Sequence, residues 1–248
     1  MLKKFLKYCY FSFRLLFPSK EGVSILMYHS VGESNAFFTV SPQKFERQLK
    51  YIKQKGLKTV FLSEAISDLL AKKSENEIVL TFDDGYTDNF TTVLPLLRKY
   101  GMKATFFIPT GKIGSEMTTS DGVTLSVMDM EQILHIAKEE RETIELMPHT
   151  VSHPDLSVLS KEDLHYELEE SKEFIEKITG KPGTLLAYPK GRFNQMCVEK
   201  AKEVGYSAAV TVKSGVYNNL QNNFEIPRYF VGRDTTFPEF KAKAAAKI

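Results

Sequence analysis

The chain has no tryptophan and only two cysteines in 248 residues. Cys9 and Cys197 lie far apart in the sequence, so they predict neither a disulfide framework nor a CxxC metal site. No apolar run approaches the roughly 20 residues that a membrane-spanning helix requires. The 33 lysines and arginines nearly balance the 31 aspartates and glutamates, which leaves a net charge of +2. This balance argues against extensive nucleic-acid binding, which needs clustered positive charge.

The remaining composition is that of an ordinary globular domain, with 42% hydrophobic and 26% charged residues. From Gly22 onward, short runs rich in valine, isoleucine, phenylalanine and threonine alternate with segments of helical periodicity. The predicted strands span residues 23–28, 59–62, 78–82, 104–108, 144–147, 184–188, 208–212 and 227–231. About seven or eight alternating units favour a parallel barrel over an open sheet. We expect one α/β domain over residues 21–248, preceded by a separate segment 1–20.

Helix boundaries are clearest for residues 161–179. Ser160 is a favourable N-cap for this helix, and Gly180 is the residue type that commonly follows a helix C-terminus. The sequence also predicts a helix that begins at Pro42 and another over residues 88–100.

The first 17 residues have the pattern of a basic amphipathic helix. Lys7 and Arg14 interrupt the apolar stretch and no small-residue cleavage site precedes Pro18, so a cleaved signal peptide fits poorly. Two interpretations stay open. The helix either lies at a membrane surface with its apolar face down, as expected of a peripheral membrane or cell-envelope protein, or covers the domain's own core. The apolar face comprises Leu2, Phe5, Leu6, Cys9, Phe13, Leu16 and Phe17, whereas Lys3, Lys4, Lys7 and Arg14 lie opposite, together with Phe11.

Polar residues suited to chemistry follow several predicted strands. His29 comes after the first strand, Asp83-Asp84 after the third, His149 after the fifth, and Pro189-Lys190-Gly191 after the sixth. The carboxyl ends of barrel strands converge on one face, where such enzymes keep their active sites. The pattern therefore predicts a functional site at that face. His135 and His165 fall inside predicted helices and are interpreted as structural or exposed.

Each of these motifs also has a structural interpretation. Asp83-Asp84-Gly85 could be a turn with a helix cap, although that explains only one of the two carboxylates. Two adjacent carboxylates can have separate roles, in which one carboxylate binds a metal ion and the other accepts a proton. His149 and His153, four residues apart, can face one cation, and two histidines with one aspartate leave positions open for water and substrate. His29, taken alone, could be a histidine at the end of a strand that bonds only to the backbone. The motif at residues 188–191 could be a tight turn.

Three motifs, taken in order, resemble the polysaccharide deacetylases of carbohydrate esterase family 4, which share a NodB-type domain. They are Thr81-Phe82-Asp83-Asp84-Gly85, His149-Thr150-x-x-His153 and Tyr188-Pro189-x-Gly191. The resemblance implies a distorted (β/α)7 barrel and the metal-dependent removal of acetyl groups from N-acetylated sugars. It also implies one divalent ion, with zinc usual and Co²⁺ or Ni²⁺ as substitutes.

The resemblance assigns a role to each matched residue. It implies that Asp83 is the catalytic base and that Asp84, His149 and His153 bind the metal. The tight turn of the third motif, formed by Tyr188, Pro189 and Lys190, is implied to bind substrate, and the Lys190 amide would stabilise the oxyanion.

Four departures from the family pattern modify this picture. No histidine follows His165, so the usual C-terminal general acid is absent. The Met27-Tyr28-His29 segment resembles the circularly permuted poly-β-1,6-N-acetylglucosamine deacetylases, which makes His29 the expected general acid. Ala187 stands where the third motif usually has arginine, and we hypothesise that Arg228 contacts the catalytic aspartate instead. The usual tryptophan is missing, and Pro148 before the first ligand histidine is atypical.

The expected activity is hydrolysis of an N-acetyl amide on a glycan. Two alternatives are a catalytically silent carbohydrate-binding barrel and a related amidohydrolase that acts on a small amide, because fold does not fix substrate. The expected partners are the glycan substrate and, through residues 1–17, a membrane surface, but no nucleic acid.

Overall fold

The computed structural model describes residues 2–73, 76–218 and 222–247, with side chains from residue 5 onward. Its strands are β1 (Ser24–Tyr28), β2 (Lys58–Val60), β3 (Glu77–Phe82), β4 (Ala104–Ile108), β5 (Glu116–Thr118), β6 (Thr124–Ser126), β7 (Ile144–Pro148), β8 (Leu185–Ala187), β9 (Ala208–Val210) and β10 (Tyr229–Phe230). Its α-helices are α1 (Leu2–Arg14), α2 (Pro42–Gln54), α3 (Leu62–Leu70), α4 (Leu94–Tyr100), α5 (Met130–Glu139), α6 (Lys161–Thr179), α7 (Gln195–Val204) and α8 (Phe237–Ala244).

The strands form a parallel barrel whose pairing is interrupted. One ladder has the order β10-β1-β3-β4-β7, and a second joins β8 to β9. A parallel bridge from Val210 to Ile226 connects β9 to the chain that leads into β10. The strand β2 pairs with the first half of β3, and β4 pairs with its end. These interruptions are the distortion of the barrel, and the predicted fold class is confirmed.

Alternate strand residues point to opposite sides of the barrel wall. Leu26 on β1 and Leu80 on β3 join a cluster that packs against α2, α4, α5 and α8. Ile25 and Val79, their neighbours in sequence, belong to a second cluster made mainly of strand residues. Since both faces of the wall are buried, the strands are continuous apolar runs, which is typical of parallel sheets.

Three local features differ from the prediction. The strand predicted over 59–62 ends earlier, because Leu62 already begins α3 and the Glu64 carboxylate accepts a hydrogen bond from the Phe61 amide. The helix predicted over 88–100 begins with a π-helical turn at Asn89–Val93. The β5–β6 hairpin was not predicted, because its short strands are largely exposed and lack a continuous apolar run.

The N-terminal helix α1 lies beside α8. Among residues 2–73, 76–218 and 222–247, no helix is both long and apolar enough to cross a membrane.

Helix α6 spans the residues that the sequence predicts. The Ser160 hydroxyl accepts a hydrogen bond from the Asp163 amide, and Gly180 adopts φ 66° at the other end. We expect Ser160→Ala to lower the free energy of unfolding by about 1 kcal/mol, because one amide at the helix start loses its partner. Urea unfolding would measure this loss. Ser160→Thr retains a hydroxyl and is the control; equal losses in both variants would contradict the capping role.

Candidate metal and catalytic site

The polar residues singled out in the sequence converge at the carboxyl ends of the central strands. His29 follows β1 and Asp83 follows β3, and these strands are paired with Tyr28 opposite Phe82. His149 follows β7, which is paired with β4 so that Pro148 lies opposite Ile108. The strand register therefore positions the site.

Three of these side chains form a potential metal site. Oδ1 of Asp84 lies 3.5 Å from Nε2 of His149 and 3.2 Å from Nε2 of His153. One ligand atom from each residue lies within 4.8 Å of the others. Asp84 Oδ1 is buried and makes no hydrogen bond within the described residues. A buried carboxylate oxygen without a partner, facing two imidazole nitrogens, suits a divalent cation.

The ionisation of Asp84 agrees with this arrangement. Burial alone would raise the pKa of the Asp84 carboxyl, but the neighbouring imidazoles of His149 and His153, together with the charge of His29, hold it well below its usual range. The carboxylate is therefore ionised and able to bind a cation.

A backbone carbonyl orients the first ligand histidine. Nδ1 of His149 lies 2.7 Å from the carbonyl oxygen of Ala187. Because a carbonyl can only accept, Nδ1 carries the proton and Nε2 keeps its lone pair for a metal. Ala187, which stands where the resemblance implies an arginine, thus orients His149 through its backbone. Pro148 ends β7 without displacing His149 from this contact.

The loop between the two ligand histidines is supported by α6. Glu167 is buried, and its carboxylate accepts hydrogen bonds from the amides of Val151 (2.8 Å) and Ser152 (2.9 Å) and from the Ser152 hydroxyl. On another side of the loop, the Gly111 amide donates to the Val151 carbonyl. Sequence analysis missed Glu167. The available signal was its place beside Leu168, on the apolar face of α6.

Several residues of the site have backbone dihedrals in the left-handed region. The φ values are 70° for Asp84, 68° for Thr150, 61° for His153 and 57° for Lys190. For residues other than glycine such conformations cost about 1–3 kcal/mol each and persist where the surrounding structure enforces them. The hydrogen bonds to Glu167 and Gly111 supply part of that enforcement. The ligand directions are therefore fixed by the fold.

Arg228 lies against Asp83. Its Nη1 and Nη2 donate to the two carboxylate oxygens of Asp83, each at 2.7 Å, and Nη1 also donates to Thr81 Oγ1. Its Nε donates to the Thr211 carbonyl. Burial alone would raise the pKa of Asp83, but the Arg228 charge and its hydrogen bonds bring it below the usual value. Arg228 thus occupies the place hypothesised from the sequence, next to the expected base.

His29 sits beside an aromatic cluster. Its ring stacks on Phe38 at a centroid distance of 4.9 Å and meets Phe230 edge-on at 6.1 Å. Its Nδ1 is buried without a partner among the described residues. Burial lowers the pKa of His29, and the charges of Asp84 and Asp83 oppose that effect. Because Tyr28 and Phe82 are paired, the residues that follow them, His29 and Asp83, lie side by side at the same end of the barrel.

The third motif forms a turn in which the Tyr188 side chain faces away from the polar cluster. Tyr188 packs on Phe193 at 4.3 Å, in a cluster with α6 and α7. Along β8, Ala187 faces the opposite cluster, so the two-residue period of a strand directs Tyr188 outward. The Tyr188 ring therefore lies on the other side of the wall from the polar cluster, and substrate binding by the turn of Tyr188, Pro189 and Lys190 stays a prediction. Pro189 is buried and Lys190 is exposed, in a short 3-10 turn with Gly191.

Two other histidines lie on helices. His135 on α5 approaches Glu140 at 3.5 Å, and His165 on α6 pairs with Glu169 at 2.9 Å.

The polysaccharide deacetylase family profile matches residues 71–209. The matched region contains Asp83, Asp84, His149 and His153. His29 and Arg228 lie outside it, one on each side.

Individual proteins extend the match. The Bacillus subtilis (strain 168) protein named "Putative polysaccharide deacetylase YxkH" is 32% identical over 213 residues, which cover 85% of this chain and 71% of that protein. The poly-beta-1,6-N-acetyl-D-glucosamine N-deacetylase of Staphylococcus aureus (strain MRSA252) is 25% identical over 201 residues, or 79% of this chain and 69% of that one. The solved structure of Streptococcus pyogenes deacetylase PplD in complex with acetate superposes with a TM-score of 0.79 at 25% identity, covering 91% of this chain and 98% of that one.

The family match covers more than half of the chain, and the relative from Bacillus subtilis extends it to most of the barrel. The chain therefore belongs to the polysaccharide deacetylases of carbohydrate esterase family 4, hydrolases that remove N-acetyl groups from sugar polymers.

Proposed function

We propose that this chain is a zinc-dependent glycan N-deacetylase in which Asp83 is the base and His29 the general acid. One observation carries the proposal. The Asp83–Arg228 ion pair and the Asp84-His149-His153 cluster lie at one end of the barrel, and the pairing of β1 with β3 places His29 at the same end.

Asp84, His149 and His153 would hold the metal. Two imidazoles and one carboxylate are a frequent zinc ligand set that leaves positions open, and Co²⁺ or Ni²⁺ would serve as substitutes. When bound, the ion would polarise the acetyl carbonyl and make water more acidic.

The chain's own residues would move the protons. Asp83, kept ionised by Arg228, accepts a proton from the attacking water, whose oxygen forms a bond to the acetyl carbon. The Lys190 amide donates to the oxyanion. The bond from carbon to nitrogen then breaks, and His29 protonates the leaving nitrogen. Acetate and a free amine are the products, and the proton taken by Asp83 balances the one given by His29.

A sugar polymer is the substrate class that the surroundings of the site favour. Phe37 is 51% exposed and lies 5.1 Å from Phe38 and 6.0 Å from Phe230, next to the His29 stack. An exposed ring beside the catalytic groups suits the apolar face of a pyranose. The relative from Staphylococcus aureus is named for poly-beta-1,6-N-acetyl-D-glucosamine, so we propose a polymer of this type rather than a small amide. A silent barrel is disfavoured because every polar residue that the reaction needs is present.

The first prediction separates chemistry from metal binding. Asp83→Asn should lower kcat for acetate release from β-1,6-linked N-acetylglucosamine oligomers by about 100-fold or more, because the base is lost, while zinc content stays near that of the unaltered protein. Asp84→Ala should lose the zinc itself. Acetate release and metal analysis measure the two effects.

Asp163→Asn, at the start of α6, is the matched control for that experiment. Full turnover by Asp83→Asn would refute the assignment of the base. Turnover of small N-acetyl amides at rates above those of the oligomers would favour the small-amide alternative.

The second prediction concerns the ion pair. Arg228→Ala should raise the pKa of Asp83, because burial then acts without the opposing charge. Activity that needs the carboxylate is lost as the pH falls through this pKa, so the acidic limb of kcat/KM should move to higher pH. Arg228→Lys keeps a charge without the two-pronged contact and should give a smaller shift. An acidic limb that does not move in Arg228→Ala would contradict the proposal.

The third prediction concerns loop support. Glu167→Ala should weaken zinc affinity by about 10-fold, because the amides of Val151 and Ser152 lose the acceptor that holds the ligand loop. Glu167→Gln retains one acceptor oxygen and should restore much of the affinity. Competition with a chelator measures it, and Glu170→Ala, an exposed position on the same helix, is the control. Unchanged affinity in Glu167→Ala would remove this role.

A further inference from the structure

The amphipathic helix α1 contacts the barrel through its basic edge. Lys7 Nζ lies 2.7 Å from a carboxylate oxygen of Glu239 on α8. At the other end of α1, the Arg14 guanidinium donates to the Lys247 carbonyl. Lys247 Nζ in turn donates to the carbonyls of Leu15 and Phe17 at 2.8 and 2.7 Å. The helix is therefore fixed by charged and polar contacts along one side.

The apolar edge of α1 faces away from the barrel. Phe5 is 64% exposed, Phe13 58% and Leu16 80%. Of thirteen large hydrophobic residues that are exposed in the described part of the chain, seven lie between residues 5 and 17. The others are scattered over the surface. The interpretation that this apolar face covers the domain's own core is therefore wrong, and a concentrated apolar patch of this kind marks an interaction surface.

The charge of this segment selects the kind of partner. The first 20 residues contain five lysines and arginines and no aspartate or glutamate, whereas the whole chain has a net charge of only +2. Lys7 and Arg14 contact the barrel, so Lys3, Lys4 and Lys20 would supply the charge toward the lipid. Tyr8 and Tyr10 are also exposed, and their amphipathic rings suit the boundary between headgroups and acyl chains. A helix with an apolar aromatic face and basic flanks matches an anionic lipid surface better than another protein surface.

We propose that α1 binds an anionic bilayer surface without crossing it, with Phe5, Leu6, Phe13, Leu16 and Phe17 inserted at the headgroup boundary. The contacts to α8 transmit this attachment to the barrel, because α8 is bonded to β1 through the Ser24 hydroxyl and the Lys243 carbonyl. The membrane surface is a partner in addition to the glycan, and the proposal does not depend on the chemistry of the site.

The direction of α1 sets the orientation of the barrel. Lys7 contacts the first turn of α8, which follows the strand end near the site, and Arg14 contacts the residues after α8. The helix α1 therefore runs along the side wall of the barrel. With its apolar face on the bilayer, the barrel lies on its side and the site opens along the membrane surface rather than toward it or away from it.

Vesicle flotation of the full chain tests the proposal. We expect the unaltered protein to float with vesicles of phosphatidylcholine and phosphatidylglycerol in a two-to-one ratio, and at least about 10-fold less with pure phosphatidylcholine. The variant Phe13→Glu with Leu16→Glu should lose binding by about 10-fold or more. The matched control is Val158→Glu with Tyr166→Glu, two exposed apolar positions elsewhere, which should float like the unaltered protein.

Two further measurements distinguish a loss of lipid binding from misfolding and from a change of oligomeric state. Zinc content and circular dichroism show whether each variant is folded, and light scattering gives the oligomeric state. Absence of flotation, equal flotation with both vesicle types, or undiminished flotation of the α1 variant would overturn the proposal. A change from dimer to monomer in the α1 variant without vesicle binding would identify a second copy as the partner instead. Acetate release from a soluble oligomer should be unchanged, which separates this test from that of the site.

Discussion

The buried ion pair between Arg228 and Asp83 is the interaction on which the site depends. The guanidinium also contacts Thr81 and the Thr211 carbonyl, so it joins β3, the chain after β9 and the chain before β10. Removing one partner of such a pair leaves an uncompensated buried charge, at a cost of about 3–5 kcal/mol. The pair therefore connects these three segments and positions the Asp83 carboxylate. The same contact lowers the basicity of Asp83, so its contribution is position and ionisation rather than proton affinity.

The ligand loop shows how the fold maintains unfavourable backbone conformations. Thr150 and His153 adopt positive φ within four residues, and a free peptide would leave these conformations readily. Glu167 accepts hydrogen bonds within the loop, and the Ala187 carbonyl fixes the preceding imidazole. The strain is offset by contacts from β8 and α6, elements that bear no ligand themselves. The geometry of the potential metal site thus depends on the packing around Asp84, His149 and His153 as well as on these residues themselves.

The sequence predicts the parts that depend on local pattern. Buried strands with both faces covered appear as apolar runs, so their ends, and hence His29 and Asp83, could be located. The strong caps of α6 fixed its limits. Long-range contacts leave no such pattern, and Glu167 looks like any other helical glutamate. The direction of the Tyr188 side chain could not be predicted, because a motif gives residue identity but not the side of the barrel wall on which a residue lies. In α1, the helical wheel identified two faces without showing which one meets the barrel.

The two ends of the chain complete what the family profile leaves out. Residues 71–209 contain Asp83 and the potential metal site of Asp84, His149 and His153, but His29 follows β1 and Arg228 lies just before β10. These two strands are paired, with Leu26 opposite Tyr229, and α1 and α8 pack together on the outside of the same wall. The wall next to His29 and Arg228 is therefore the wall that presents the exposed apolar helix. An attachment at α1 would therefore be joined through α8 to the strands next to His29 and Arg228 without changing the chemistry of the site, whereas His149 and His153 follow β7, at the other end of the same ladder.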